Sequence, residues 1–142
     1  MNKARRLEIE EALLRKTFGP TFRIQEGSSS ARGVVGKVHT NSGAEYVLFI
    51  PIKRFPDQAP AAYVVARKLL GANGKPLPEL SRDMHTRERD EHGSVQVCHY
   101  ADASWSSEVT LYKVVMKVRI WLEAYEAHLR TGKPIDKYLG HM

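Results

Sequence analysis

The chain holds a single cysteine, Cys98, within the stretch "GSVQVCHYADASWSSEVTLYKVV" at residues 93–115. An ionised thiol is a nucleophile or a metal ligand, and a positive neighbour raises the ionised fraction. His99 is adjacent, His85 and His92 precede it, and Asp102 follows on the same loop. These are residue types that tune a thiol or move a proton. An idle core residue is the plain alternative, because free cysteine is among the most often buried residue types. Against that, Cys98 stands at a strand-like end, between a charged loop and an aromatic-rich loop.

Other chemistries fit the pattern less well. Zinc knuckles pair their ligands about two to five residues apart, and His85, His92, Cys98 and His99 do not follow that spacing. A cysteine–histidine protease places its thiol at a helix N-terminus, with a distant histidine across a cleft, and so short a chain offers no second half to form one. "GANGKP" has a Gly-Lys pair without P-loop spacing, and no Gly-x-Ser-x-Gly elbow occurs. No metal and no cofactor are expected. Without a nucleotide site, the chain is not expected to activate its own substrate.

The elements that must position the thiol follow from periodicity. "KARRLEIEEALLRKTF" (3–18) reads as an amphipathic helix with Ala4, Leu7, Leu14 and Phe18 near one face, stopped by Gly19-Pro20. "TFRIQEG" (21–27) alternates as a short strand. "VVGKVHT" (34–40) and "AEYVLFIPI" (44–52) flank "NSG" as a hairpin. Pro56 and Pro60 make 53–60 a connection, and "AAYVVARKLL" (61–70) offers another strand. "SRDMHTRERDEHG" (81–93) reads as an exposed loop, and "SVQVCHY" (94–100) as a short extended piece. From Thr110 to Arg130 the spacing of Leu111, Val114, Val115, Val118, Trp121, Leu122, Tyr125 and Leu129 predicts a long helix. Ser106 or Ser107 is its expected cap, and Gly132 and Pro134 end it. The order is helix, meander, cysteine loop, helix, which is an α+β layout in one domain spanning 1–142.

Composition is that of a globular protein, 42% hydrophobic and 27% charged. The net charge of +6 favours an acidic partner, although the basic residues come as scattered pairs rather than a run. No apolar stretch reaches membrane-spanning length, and the charged N-terminus lacks a signal-peptide core. One cysteine forms no internal disulfide. The expected location is cytoplasmic.

The ordered features resemble the catalytic core of the ubiquitin-conjugating enzyme family. "YVLFIPIKRFPDQAPAAYVV" resembles that family's strand, proline turn and next strand, with Pro56 and Pro60 at matching places. "GSVQVC" resembles its Gly-x-Ile-Cys approach to the nucleophile, slightly lengthened. In "WSSEVTLYKVVMKVRIWL", Trp105, Ser106, Thr110 and Leu111 stand at the family's offsets. The family's His-Pro-Asn signature reads "HTR" here, His85-Thr86-Arg87, and no asparagine sits near Cys98. The two C-terminal helices of the eukaryotic enzymes have no counterpart. Short members of this kind are similar to bacterial ubiquitin-conjugating-like proteins of antiphage operons.

The resemblance implies an N-terminal helix, a four-stranded antiparallel meander, an active-site loop and a long C-terminal helix. It implies that Cys98 carries an acyl group as a thioester and passes it to an amine. The acyl donor would be a partner protein ending in glycine. That partner is either a nucleotidyltransferase that makes cyclic oligonucleotides or a ubiquitin-like protein with its own activating enzyme. Asp102 would orient the incoming amine, unless it caps its loop, and His85 would brace the loop. The oxyanion would fall to backbone N–H groups around Cys98 or to Thr86. Trp105 is expected to pack the loop onto the helix, and Lys3, Arg5 and Arg6 to face the activating enzyme. A non-catalytic module of the same fold, holding a partner protein, is the rival reading. Nucleic-acid binding, with a steep salt dependence, is the weaker third.

Overall fold

The computed structural model describes residues 1–28, 31–100 and 102–139. The first helix, α1 (Lys3–Phe18), is opened by Asn2, whose side chain accepts from the Arg5 N–H. Gly19, at φ 123°, closes it with an N–H bond to the Arg15 carbonyl. Its inner face is Leu7, Glu10 and Leu14. Ala4 is exposed and Phe18 half-buried, so the face is rotated from the one that apolar residues alone predict. A glutamate takes the inner position because Arg6 pairs with it at 2.7 Å and its other oxygen has a partner on the next helix.

The sheet has five antiparallel strands in chain order rather than the four expected. They are β1 (Arg23–Gln25), β2 (Gly33–His39), β3 (Glu45–Pro51), β4 (Tyr63–Val65) and β5 (Val95–Gln96). The fifth is only two residues long, where Val95 pairs with Val64, and lies within the stretch 94–100 read as a short extended piece. The hairpin β2–β3 is continuous from Gly33↔Pro51 to His39↔Glu45. Expected over 61–70, β4 instead ends at Val65, because Ala66 takes a left-handed φ of 61° that no ladder accommodates. Alternation puts Val34, Val38, Tyr46, Leu48, Ile50, Val64 and Val95 inside. Gly36 lies opposite Leu48, and the Phe22 ring occupies the place of its missing side chain.

The second long helix, α2 (Leu111–Thr131), spans that inner face with Leu111, Val114, Val115, Val118, Trp121, Leu122 and Tyr125. Thr110 is the cap, not Ser106 or Ser107: its hydroxyl accepts from the Lys113 N–H at 3.2 Å. Glu10 of α1 accepts from the Leu111 N–H at 2.9 Å, a carboxylate set at the positive end of the helix. Further along α2, buried Glu126 accepts from the hydroxyls of Thr40, Ser42 and Tyr46, each at 2.7 Å. Gly132, at φ 75°, ends the helix, and α3 (Asp136–Leu139) follows. Among the described residues, no helix is long and apolar enough to cross a membrane.

Candidate functional site

Cys98 lies two residues beyond the end of β5, after Val97, and is half-buried. Its strand is gripped from both sides. The Val97 N–H donates to the Ala62 carbonyl at 2.9 Å, while on the other side Arg87 N–H donates to Gln96 O and Cys98 N–H to His85 O, both at 2.9 Å. The segment 81–87, read as an exposed loop, is thus an ordered flank of the cysteine strand. Thr86 is buried within it and bridges to Val97.

His85 makes this possible through its backbone. At φ 50° it holds a left-handed turn that aims its carbonyl at Cys98. Its imidazole Nε2 meets Asp136 Oδ1 at 2.5 Å, and the Asp136 N–H donates to Asp83 O. The side chain therefore ties α3 to the turn before Cys98.

Two expected oxyanion donors are already engaged. The Cys98 N–H is spent on His85. The Thr86 hydroxyl donates to Pro78 O at 2.6 Å and accepts from the Ser81 N–H. A hydroxyl has one proton to give, so Thr86 has none left for an oxyanion.

His99 is buried, and its Nε2 lies 2.6 Å from Pro60 O. A carbonyl only accepts, so Nε2 carries the proton and Nδ1 carries a lone pair. Among the described residues, that Nδ1 has no partner. Burial pushes the His99 pKa down to about 4. The Pro60 bond opposes this, and the charges of Arg87 and Lys117 reinforce it. At neutral pH the residue adjacent to the thiol is uncharged and is not the positive neighbour that sequence adjacency proposed.

The cations come from farther off. Arg87 Nη2 donates to Tyr100 O at 2.9 Å. Lys117, on α2, puts Nζ 3.4 Å from His99 O and 3.7 Å from the centre of the Tyr100 ring. Burial lowers the Lys117 pKa and Lys113 lowers it further, while the charge of Cys98 raises it. Position in sequence singled out neither residue. The helical periodicity that places Lys117 beside the buried Val118 was the available signal, but it does not say which loop that flank meets.

Asp102 begins a short 3-10 turn, Asp102–Ser104; its side chain lies outside the described residues, as does Ala101. His92 is exposed on the surface beside Glu91. Among the described residues, no three His, Cys, Asp or Glu side chains gather as metal ligands. Trp105 packs its loop against the proline turn: Nε1 donates to Pro56 O at 2.8 Å, and its ring meets Phe55 and Tyr100 edge-on. Arg6 reaches the same loop, donating to Ser107 O and Val109 O. Lys3 donates to Lys53 O and Arg5 pairs with Glu8, so Lys3, Arg5 and Arg6 each have a partner within the chain.

The result is a half-buried thiol held by a fixed backbone and followed by a neutral imidazole, with two cations directed at the carbonyls of His99 and Tyr100. Such a group can take part in nucleophilic exchange without a metal. No protein-family model matches the chain, and no curated protein matches it.

Proposed function

We propose that this protein is a ubiquitin-conjugating-like acyl carrier. Cys98 takes the C-terminal glycine of a partner protein as a thioester and passes it to an amine. The setting implied by the resemblance is a bacterial antiphage operon, with a cyclic-oligonucleotide-making nucleotidyltransferase or a ubiquitin-like protein as donor. The observation that carries the reading is the placement of the one cysteine. It is half-buried rather than sealed in the core, and follows a strand pinned on both sides by backbone hydrogen bonds. A fixed, half-buried nucleophile suits a macromolecular donor, because the approach of a protein tail costs less when the thiol is pre-positioned. A thioester stays reactive towards nitrogen and persists in water long enough to be handed on.

The test is intact mass under non-reducing conditions after co-expression with the neighbouring genes, for wild type, Cys98→Ser and Cys98→Ala. The expected result is a partner-sized adduct on wild type that thiols remove, an ester that persists on serine, and nothing on alanine. No adduct on any of the three would sink acyl carriage.

A second reading has its own observation. Cys98 N–H and the Thr86 hydroxyl are both engaged within the chain, as expected of a module that holds a partner protein without catalysis. In that case Cys98 would alkylate slowly in the native protein and no adduct would form.

A further inference from the structure

Acyl transfer at Cys98 is helped by a donor or positive group where the carbonyl oxygen becomes an anion, and the Cys98 N–H and the Thr86 hydroxyl are engaged elsewhere. Lys117 stands in the right region. Its stem rises from α2, and its ammonium is directed at His99 O and seated on the Tyr100 ring, the two residues that follow the thiol. An ammonium has three donors, and among the described residues one is directed at His99 O. Arg87, by contrast, is locked by a shorter bond to Tyr100 O.

We infer that Lys117 is the cation that meets negative charge formed at Cys98, and that during acyl transfer its ammonium stabilises the oxyanion of the addition intermediate. The charge of Cys98 raises the Lys117 pKa, which agrees with this placement. The inference rests on the acyl-carrier reading for its catalytic half. In the step, the amine nitrogen bonds to the thioester carbonyl carbon and the carbonyl electron pair moves to oxygen. The carbonyl re-forms as the C–S bond breaks, Cys98 leaves as thiolate, and the amine's proton passes to solvent.

Charge-selective alkylation tests the placement without any acyl donor. The rates of Cys98 modification by anionic iodoacetate and neutral iodoacetamide are measured at low salt. The variants are wild type, Lys117→Gln, Lys117→Met, Lys117→Arg and, as a neighbouring control, Lys113→Gln, with thermal melts to confirm folding. A cation held near the thiol favours the anionic reagent, so the iodoacetate-to-iodoacetamide ratio should fall about threefold in Lys117→Gln and Lys117→Met. Lys117→Arg should keep it, Lys113→Gln should change it less, and added salt should erase the difference. The methionine variant keeps the aliphatic stem over Tyr100, so a packing defect in the glutamine variant does not decide the result. A wild-type ratio in both neutral variants overturns the role of Lys117 and leaves the acyl-carrier reading standing. If Cys98 of the native protein reacts with neither reagent, both fall. If the adduct test succeeds, aminolysis of the thioester should slow on the order of tenfold in Lys117→Gln, with donor affinity unchanged; an unchanged rate also overturns the role.

Discussion

The N–H of Cys98 donates to the carbonyl of His85 at 2.9 Å, and His85 holds that carbonyl in place with a left-handed φ of 50°. The backbone of His85, rather than its ring, fixes the segment that carries Cys98. For a residue with a Cβ, this conformation costs about 1 kcal/mol or more relative to glycine. His85→Gly and His85→Ala lose the same contact to Asp136. The glycine variant should therefore be the more stable by roughly 1 kcal/mol in urea unfolding. Equal stabilities would show that the turn does not depend on this residue's conformation.

His99 should make the protein sensitive to mild acid. Its folded pKa, pushed down to about 4, lies below the ordinary value of 6.5. The unfolded chain therefore binds the proton first. The stability is fully present above about pH 6.5 and drains away as the pH falls towards 4. Between pH 7 and pH 5 this group alone should remove about 2 kcal/mol of unfolding free energy. Urea titrations of wild type and His99→Gln at the two pH values check this: the variant should lack that increment of pH dependence.

Glu126 works at lower pH. Burial raises a carboxyl pKa, but the bonds from Ser42, Thr40 and Tyr46 and the charge of Arg130 outweigh it, and the Glu126 pKa ends below its ordinary value. The stability from this carboxylate is present above the ordinary glutamate range and is lost as pH falls through the lowered value. Glu126→Gln should cost roughly 1–3 kcal/mol at pH 7, because an amide has one acceptor oxygen for three hydroxyl donors. The gap between variant and wild type should narrow below about pH 4. A gap independent of pH would mean that the carboxylate charge is not what the hydroxyls serve.

Gly36 is required by its neighbour. A Cβ there would stand 2.3 Å from the Phe22 ring, a fully buried side chain with nowhere to retreat. Gly36→Ala should therefore destabilise by about 1–3 kcal/mol, read from the denaturation midpoint. Pairing it with Phe22→Leu should recover part of the loss. Additive losses in the double variant would show that the two sites are independent.

Much of the framework was legible in the chain itself. The bounds of α1, the hairpin β2–β3 and the run of α2 follow from periodicities of 3.6 and 2 and from Gly19, Gly43 and Gly132 at their ends. These are local rules, obeyed by residues a few positions apart. The same locality made Cys98 stand out as a single thiol at a strand end. What failed were statements about partners distant in sequence. Glu10 fell on the buried face because Leu111, 101 positions later, offers it an unpaired N–H. His99 lost its charge because the fold closed over it and gave it Pro60 as its bonded partner. Thr86 spent its proton on Pro78, the Trp105 indole found Pro56 O, and Lys117 met the carbonyl of His99, the residue after the thiol. The sequence by itself determined the elements and their order, since backbone propensity and apolar spacing act within a few residues. Only the tertiary structure decided which polar groups remain charged or unpaired around Cys98, because desolvation and hydrogen bonding depend on what the chain brings together in space.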